Sequence, residues 1–288
     1  MSAPVIIQGL SQVATAYDAL LCDVWGVVHN GREAFAPACA ALARFRAERG
    51  PVILISNAPR PATDVLPQLD SLGVPRAAWS AMVTSGDATR VLLAERAPGP
   101  AWAIGPARDA PLYEGLGLAF AGADQAAFIA CTGPVDDTVE TPEDYRDRLS
   151  AGAGRGLVMI CANPDRVVQR GDQLVYCGGA LADLYETLGG VVVMAGKPHA
   201  PIYALALDRA AAELGGSLAR ERVLCIGDGI ATDLGGAAAQ GLDALFVAQG
   251  IHAAELALGE QPLDPTRLGA VLASEGAAAR FAMPALAW

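Results

Sequence analysis

At 288 residues, with 53% hydrophobic side chains and a formal charge of −11, the chain is long enough for two domains at roughly 150 residues each. Asp, Pro or Gly interrupts every apolar run before the roughly 18 residues of a membrane span. The N-terminus lacks the basic and apolar segments of a secretory signal, and no basic cluster offers nucleic acid or an anionic membrane a surface. A cytoplasmic protein is therefore expected. Its six cysteines form no CxxC pair and no Cys/His metal spacing, and they read as reduced core residues.

In chain order, Ala19–Cys22 is a short apolar run that ends on the carboxylate of Asp23, with Gly26 three residues on. This is the pattern of a buried parallel strand delivering one acid to its C-terminal edge. Residues 35–49 have helical spacing, tolerate Pro37 near the start and stop at Gly50-Pro51. A second apolar run, 52–57, ends on Ser56 and Asn57. Strand, helix and strand of these lengths make a βαβ unit, so the second strand should run parallel to the first and bring Ser56 near Asp23. A helix is expected over 60–72, and 82–86 resembles a third strand edge.

From about residue 85 to 190 the pattern changes. Short apolar runs at 101–104, 126–131, 157–161 and 174–177 alternate with a helix opened by Thr141-Pro-Glu-Asp144 and another over 180–188. The sequence predicts a smaller α/β domain at 85–190 inserted into a core made of 1–84 and 191–288. Gly152-Ala-Gly-Arg-Gly156 precedes an apolar run where a dinucleotide loop would follow one, so it is not taken as such a loop. The run Val191–Ala195 reads as the strand that resumes the core. It leads through Gly196-Lys-Pro198 into a helix over 202–214. The run 222–227 leads into Asp228-Gly-Ile-Ala-Thr-Asp233 and a small-residue helix over 234–240, and 243–247 is a last strand.

The predicted fold class is α/β, a doubly wound parallel sheet with an inserted α/β cap domain. In such a sheet the strand ends carrying Asp23, Ser56-Asn57, Lys197 and Asp228 with Asp233 share one edge, where ligands bind. Lys197 is the single lysine beside 19 arginines. A carboxylate nucleophile, a hydroxyl, an ammonium and two further carboxylates suit phosphate together with a hard divalent cation. Mg²⁺ prefers oxygen ligands and takes only one or two carboxylates, with a backbone carbonyl and waters completing its shell.

These residues resemble the haloacid dehalogenase superfamily. Asp23-Val-Trp-Gly26 is similar to its first motif, Ile55-Ser-Asn57 to its second, Gly196-Lys-Pro198 to its third, and Gly227-Asp-Gly-Ile-Ala-Thr-Asp233 to its fourth. The insertion between the second and third, containing Asn163-Pro-Asp165, resembles the class IIA branch of NagD-like and p-nitrophenyl phosphatase-like hydrolases. The resemblance implies a Mg²⁺-dependent phosphatase of a small phosphorylated metabolite, acting through an aspartyl-phosphate on Asp23. It implies phosphate contacts from the Trp25-Gly26 loop, Ser56, Asn57 and Lys197. Mg²⁺ would sit on Asp23, the Trp25 carbonyl and Asp228, with Asp233 a further ligand. Asn163 and Asp165 would touch substrate from the cap, although Asn-Pro-Asp is first of all a turn signal. The cap would close over the substrate and exclude water.

One position departs from the family pattern. Most phosphatases of this kind carry a second aspartate two residues after the nucleophile, as the general acid and base. Here that residue is Trp25, whose indole N–H cannot exchange a proton near neutral pH. A second reading follows, a catalytically weak or inactive phosphometabolite-binding protein. Carbon–phosphorus cleavage, whose enzymes also lack that aspartate, would need a cap lysine that this sequence does not have. His29 is a candidate replacement proton carrier. The sequence leaves the metabolite unnamed and a homodimer open.

Overall fold

The computed structural model describes residues 3–170, 173–256, 258 and 262–288. The chain divides into two compact units, one of residues 1–56, 66–83 and 197–288, the other of 57–65 and 84–196.

The first unit opens with strands β1 (Val5–Ile6) and β2 (Ala19–Asp23), helix α1 (Ala36–Glu48) and β3 (Val52–Ser56). Helix α2 (Ala62–Ser71) and β4 (Ala81–Thr84) follow. Every residue of β2 and β3 is buried, as a parallel strand covered on both faces requires. Asp23 pairs in register with Ile55, so the β3 strand places Ser56 one residue beyond that pair.

The second unit is built from α3 (Ser85–Ala94), β5 (Ala101–Ile104), β6 (Phe128–Cys131), α4 (Arg146–Gly154) and β7 (Val158–Cys161). A hairpin of β8 (Val167–Arg170) and β9 (Gln173–Tyr176), helix α5 (Gly178–Thr187) and β10 (Val191–Met194) complete it. Its sheet has the order β10-β7-β6-β5, with every neighbouring pair parallel. Alternation along β6 shows how the two faces are filled. Ile129 and Cys131 pack with Leu149, Leu181 and Tyr185 on one side, while Phe128 and Ala130 pack with Leu93 and Leu112 on the other.

The first unit resumes with α6 (Ala200–Leu214), β11 (Val223–Gly227), α7 (Gly235–Ala239) and β12 (Asp243–Val247), and ends with α8 (Pro265–Ser274) and β13 (Phe281–Met283). Its seven-stranded sheet has the order β1-β13-β12-β11-β2-β3-β4. Strand β2, which ends on Asp23, lies inside this sheet, parallel to both β11 and β3.

Several elements differ from the sequence expectation. Val191–Met194 pairs with β7 in the four-stranded sheet, so the border with the resumed first unit falls after Gly196 and not after Gly190. Ser85 and Gly86 open α3 instead of ending a strand, because Thr84 and Asp87 form a capping box. The glycine-rich 152–156 stretch closes α4, and Gly156 turns the chain with φ +70°. The six cysteines are all buried and unbridged. Among the described residues no helix is long and apolar enough to cross a membrane.

Candidate active site

At the C-terminal ends of β2 and β11, in the first unit, three carboxylates converge on one ammonium. Lys197 Nζ donates to Asp23 Oδ1 at 2.6 Å and to Asp233 Oδ1 at 2.7 Å. Asp23, Asp228 and Asp233 offer oxygen atoms that all lie within 4.8 Å of one another. All four side chains are buried. Three negative charges against one positive leave two uncompensated in a region of low dielectric, and such a deficit is costly unless another cation joins it.

Proton affinities report the same strain. Burial, opposed by Lys197 and aided by the Asp228 charge, pushes the Asp23 carboxyl up to about 7. Burial and the neighbouring carboxylates push Asp233 up to about 7 and Asp228 up to about 6. Burial alone would lower the Lys197 ammonium, but Asp23 and Asp233 outweigh it and hold its pKa well above the usual value. The lysine therefore stays charged.

The backbone fixes each carboxylate. The Asp233 Oδ2 accepts from the Gly229 amide at 3.0 Å, and the turn that carries Asp233 is held by the Tyr203 hydroxyl, which donates to the Thr232 carbonyl at 3.3 Å. Asp228 Oδ2 accepts from the Ile251 amide at 2.8 Å. Glycine is required on two sides of that carboxylate. A Cβ on Gly26, which has φ +76°, would lie 2.3 Å from Asp228 Oδ2, and one on Gly250 would lie 1.7 Å from it. Sequence reasoning missed Gly250, Ile251 and Tyr203. The Gln249-Gly250 pair after the β12 strand was the available signal, since a glycine at a strand end marks a close backbone approach.

The structure thus brings Asp23, Lys197, Asp228 and Asp233 together, with Ser56 buried at the neighbouring strand end and Gly26 against Asp228. Lys197 arrives differently from expectation, because the strand before it belongs to the other sheet. Trp25 follows Asp23 with its indole 46% exposed and stacked edge-on against the His29 ring at 4.9 Å. Asn57, Asn163 and Asp165 belong to the second unit. There Asn57 Nδ2 donates to Asp165 Oδ1 at 2.9 Å, and Asn163 Oδ1 accepts the Asp165 amide at 3.1 Å, which closes the turn.

His29 is buried, and burial drives its pKa down to about 4. Its Nδ1 accepts the Gly31 amide at 3.0 Å. The ring is neutral at physiological pH and far from the range in which a general base is poised.

The sequence profile of the haloacid dehalogenase-like hydrolases matches residues 20–119, and a second HAD-hydrolase-like profile matches residues 194–273. A solved haloacid dehalogenase-like hydrolase from Brucella suis 1330 is 46% identical over 98% of this chain and 100% of that one, with a TM-score of 0.86. The chain belongs to the haloacid dehalogenase-like hydrolases. A D-glycerol 3-phosphate phosphatase of Mycobacterium tuberculosis is 28% identical over 274 residues, covering 90% of this chain and 71% of the relative. A glycerol phosphate phosphatase from the same organism, solved in complex with magnesium, shares 25% identity over 89% of this chain and 77% of that one, with a TM-score of 0.64.

Proposed function

We propose that this hydrolase is a Mg²⁺-dependent phosphatase of a small phosphorylated metabolite, working through an aspartyl-phosphate on Asp23. The observation that carries the reading is the buried cluster in which Lys197 bridges Asp23 and Asp233 beside Asp228. Asp23 and Asp228, with the Trp25 carbonyl, would hold the ion. Both Asp233 oxygens are engaged, by Lys197 and by the Gly229 amide, so Asp233 chiefly positions the lysine. When bound, Mg²⁺ supplies the positive charge that the cluster lacks and offsets charge on a phosphoryl oxygen.

The chain's own residues do the rest. A carboxylate oxygen of Asp23 attacks phosphorus, and the bond to the leaving oxygen breaks with its electron pair going to that oxygen. Lys197 and Ser56 balance charge on the equatorial phosphoryl oxygens, with the Asn57 amide as a further donor. Water then attacks the phosphorus of the acyl phosphate, which releases inorganic phosphate and restores the Asp23 carboxylate.

A second reading, a phosphometabolite-binding protein with weak or no turnover, is favoured by one specific feature. Neither the indole of Trp25 nor the neutral His29 ring supplies the proton transfers that such a cycle normally uses. One experiment separates the readings. With Mg²⁺ present, p-nitrophenyl phosphate and D-glycerol 3-phosphate are offered to the wild type and to Asp23→Asn. Turnover abolished in Asp23→Asn supports the phosphatase. Thermal stabilisation by the esters without turnover supports the binding protein.

A further inference from the structure

In the second unit, a cavity of about 140 Å³ opens beyond the C-terminal ends of three parallel strands. Its walls include Arg108 and Asp109 after β5, Thr132 and Asp137 after β6, Asn163 after β7, and Arg60. The carboxyl edge of a parallel sheet is where open α/β folds bind ligands. The polar groups that line it are costly to leave dry. Asp109, Asp137, Thr132 and Asn163 are all buried. Among the described residues the Thr132 hydroxyl makes no hydrogen bond of regular geometry, although it lies close enough to Asp109 to temper the upward pull of burial on that carboxyl. A buried hydroxyl without a regular hydrogen bond calls for a polar partner.

Charge selects the partner. Arg108 is forked onto Asp137 through both terminal nitrogens, while Arg60 Nε stands 4.0 Å from Asp109 Oδ1, too far for a hydrogen bond. Among the described residues that line the cavity, two guanidinium groups and two carboxylates sum to zero. An anion placed here would face Asp109 and Asp137, and a cation would face Arg60 and Arg108. A neutral ligand that carries several hydroxyls satisfies both signs. Its O–H groups donate to Asp109, its oxygens accept from Arg60 and from the Asn163 amide, and Thr132 pairs with either. The volume is close to the roughly 150 Å³ of a cavity that holds a six-carbon ring, which fits a triol or tetritol.

We propose that this cavity binds an uncharged polyhydroxylated small molecule, a polyol or the polyol portion of a larger one. The inference stands without the phosphatase reading, because binding is measured independently of turnover.

Ligand-observed NMR titration of the full chain with erythritol, butan-1-ol and sulfate tests it. Erythritol is expected to bind saturably and the other two not. Asp109→Asn removes hydrogen bonds to a charged acceptor and should weaken erythritol about tenfold or more, and the near-isosteric Thr132→Val should weaken it about threefold to tenfold. The second variant decides the matter if the first does not fold. Absence of saturable binding to the wild type, unchanged affinity in Thr132→Val, or sulfate binding more tightly than erythritol would overturn the proposal.

Discussion

A tryptophan two residues after an attacking carboxylate has kinetic consequences that depend on the leaving group. Aryl phosphates and acyl phosphates depart without a proton, so they should still phosphorylate Asp23, whereas alkyl phosphates should react slowly. On the proposed mechanism, attack of water on the aspartyl-phosphate lacks its base in every case, so the covalent intermediate should accumulate and an initial burst should appear. Replacing Trp25 with Asp should raise steady-state turnover by about 10². Because Trp25 is nearly half exposed, the exchange removes its edge contact with His29 and its packing over Gly31, and little of the core. Stopped-flow measurement with p-nitrophenyl phosphate checks both points. The absence of a burst together with equal rates on aryl and alkyl esters would point to another proton carrier.

His29 supplies a pH test of a different kind. Its pKa falls from an ordinary 6.5 to about 4 on folding, so between those values the unfolded chain binds a proton that the folded chain refuses. Stability therefore drops as pH falls from 6.5 towards 4, by something on the order of 2–3 kcal/mol from this residue. The acidic cluster titrates in the same window with the opposite sign, since Asp23, Asp228 and Asp233 have raised values. Comparing wild type with His29→Gln isolates the histidine. The gap between their urea-unfolding free energies should narrow as the pH is lowered through this range. A gap that is constant between pH 7 and 4 would mean that the ring is protonated in the native state.

At the scale of elements, the start of α3 is a local structure with long reach. The Thr84 hydroxyl accepts the Asp87 amide at 3.0 Å and donates to the Arg60 carbonyl at 2.7 Å, while Asp87 accepts the amides of Thr84 and Ala62. One capping box thereby also anchors the segment that carries Arg60. Thr84→Ala should cost about 1–2 kcal/mol, and it should loosen residues 60–62 as read by amide hydrogen exchange. A cost below the error of the unfolding measurement would show that the box is redundant. The Thr-Ser-Gly-Asp run was legible as a strand edge from its hydroxyls and glycine, but the same residues spell a helix start, and only the reciprocal hydrogen bonds distinguish the two.

The same ambiguity separates what was legible from what was not elsewhere. The strands ending at Asp23, Ser56 and Gly227 were readable because each is a continuous apolar run closed by a polar or glycine residue. Val191–Met194 was readable as a strand for its β-branched run, yet nothing in four valine-rich residues states which sheet they join, since partner choice is set by tertiary packing. Strands β1 and β13 hold two and three residues, too short for periodicity to register. The β8–β9 hairpin was half read, because Val167–Arg170 carries charge and polarity like a loop. Among site residues, the carboxylates and lysine announced themselves through strand-end position. The backbone donors at Gly229 and Ile251 did not, because an amide has no residue type.

For the molecule as a whole, the charge deficit in the first unit makes metal binding a question of where stability is gained. A cation that binds the native cluster stabilises the native state by RT ln(1 + [L]/Kd), about 2.7 kcal/mol at one hundred times Kd. The chain consists of two compact units with separate sheets and cores, so this gain need not be shared evenly. Amides of β2 and β11, which bear Asp23 and Asp228 at or just beyond their ends, should exchange more slowly when Mg²⁺ is added. Amides of β6 and β7 in the four-stranded sheet should change much less. Asp228→Asn removes one carboxylate while keeping a side-chain oxygen to accept from the Ile251 amide, so it should abolish the Mg²⁺ effect on β2 and leave metal-free exchange near that of the wild type. Hydrogen exchange followed by mass spectrometry, with and without Mg²⁺, reads both sheets in one experiment. Equal slowing of the two sheets, or an undiminished response in Asp228→Asn, would place the ion somewhere other than among these three aspartates.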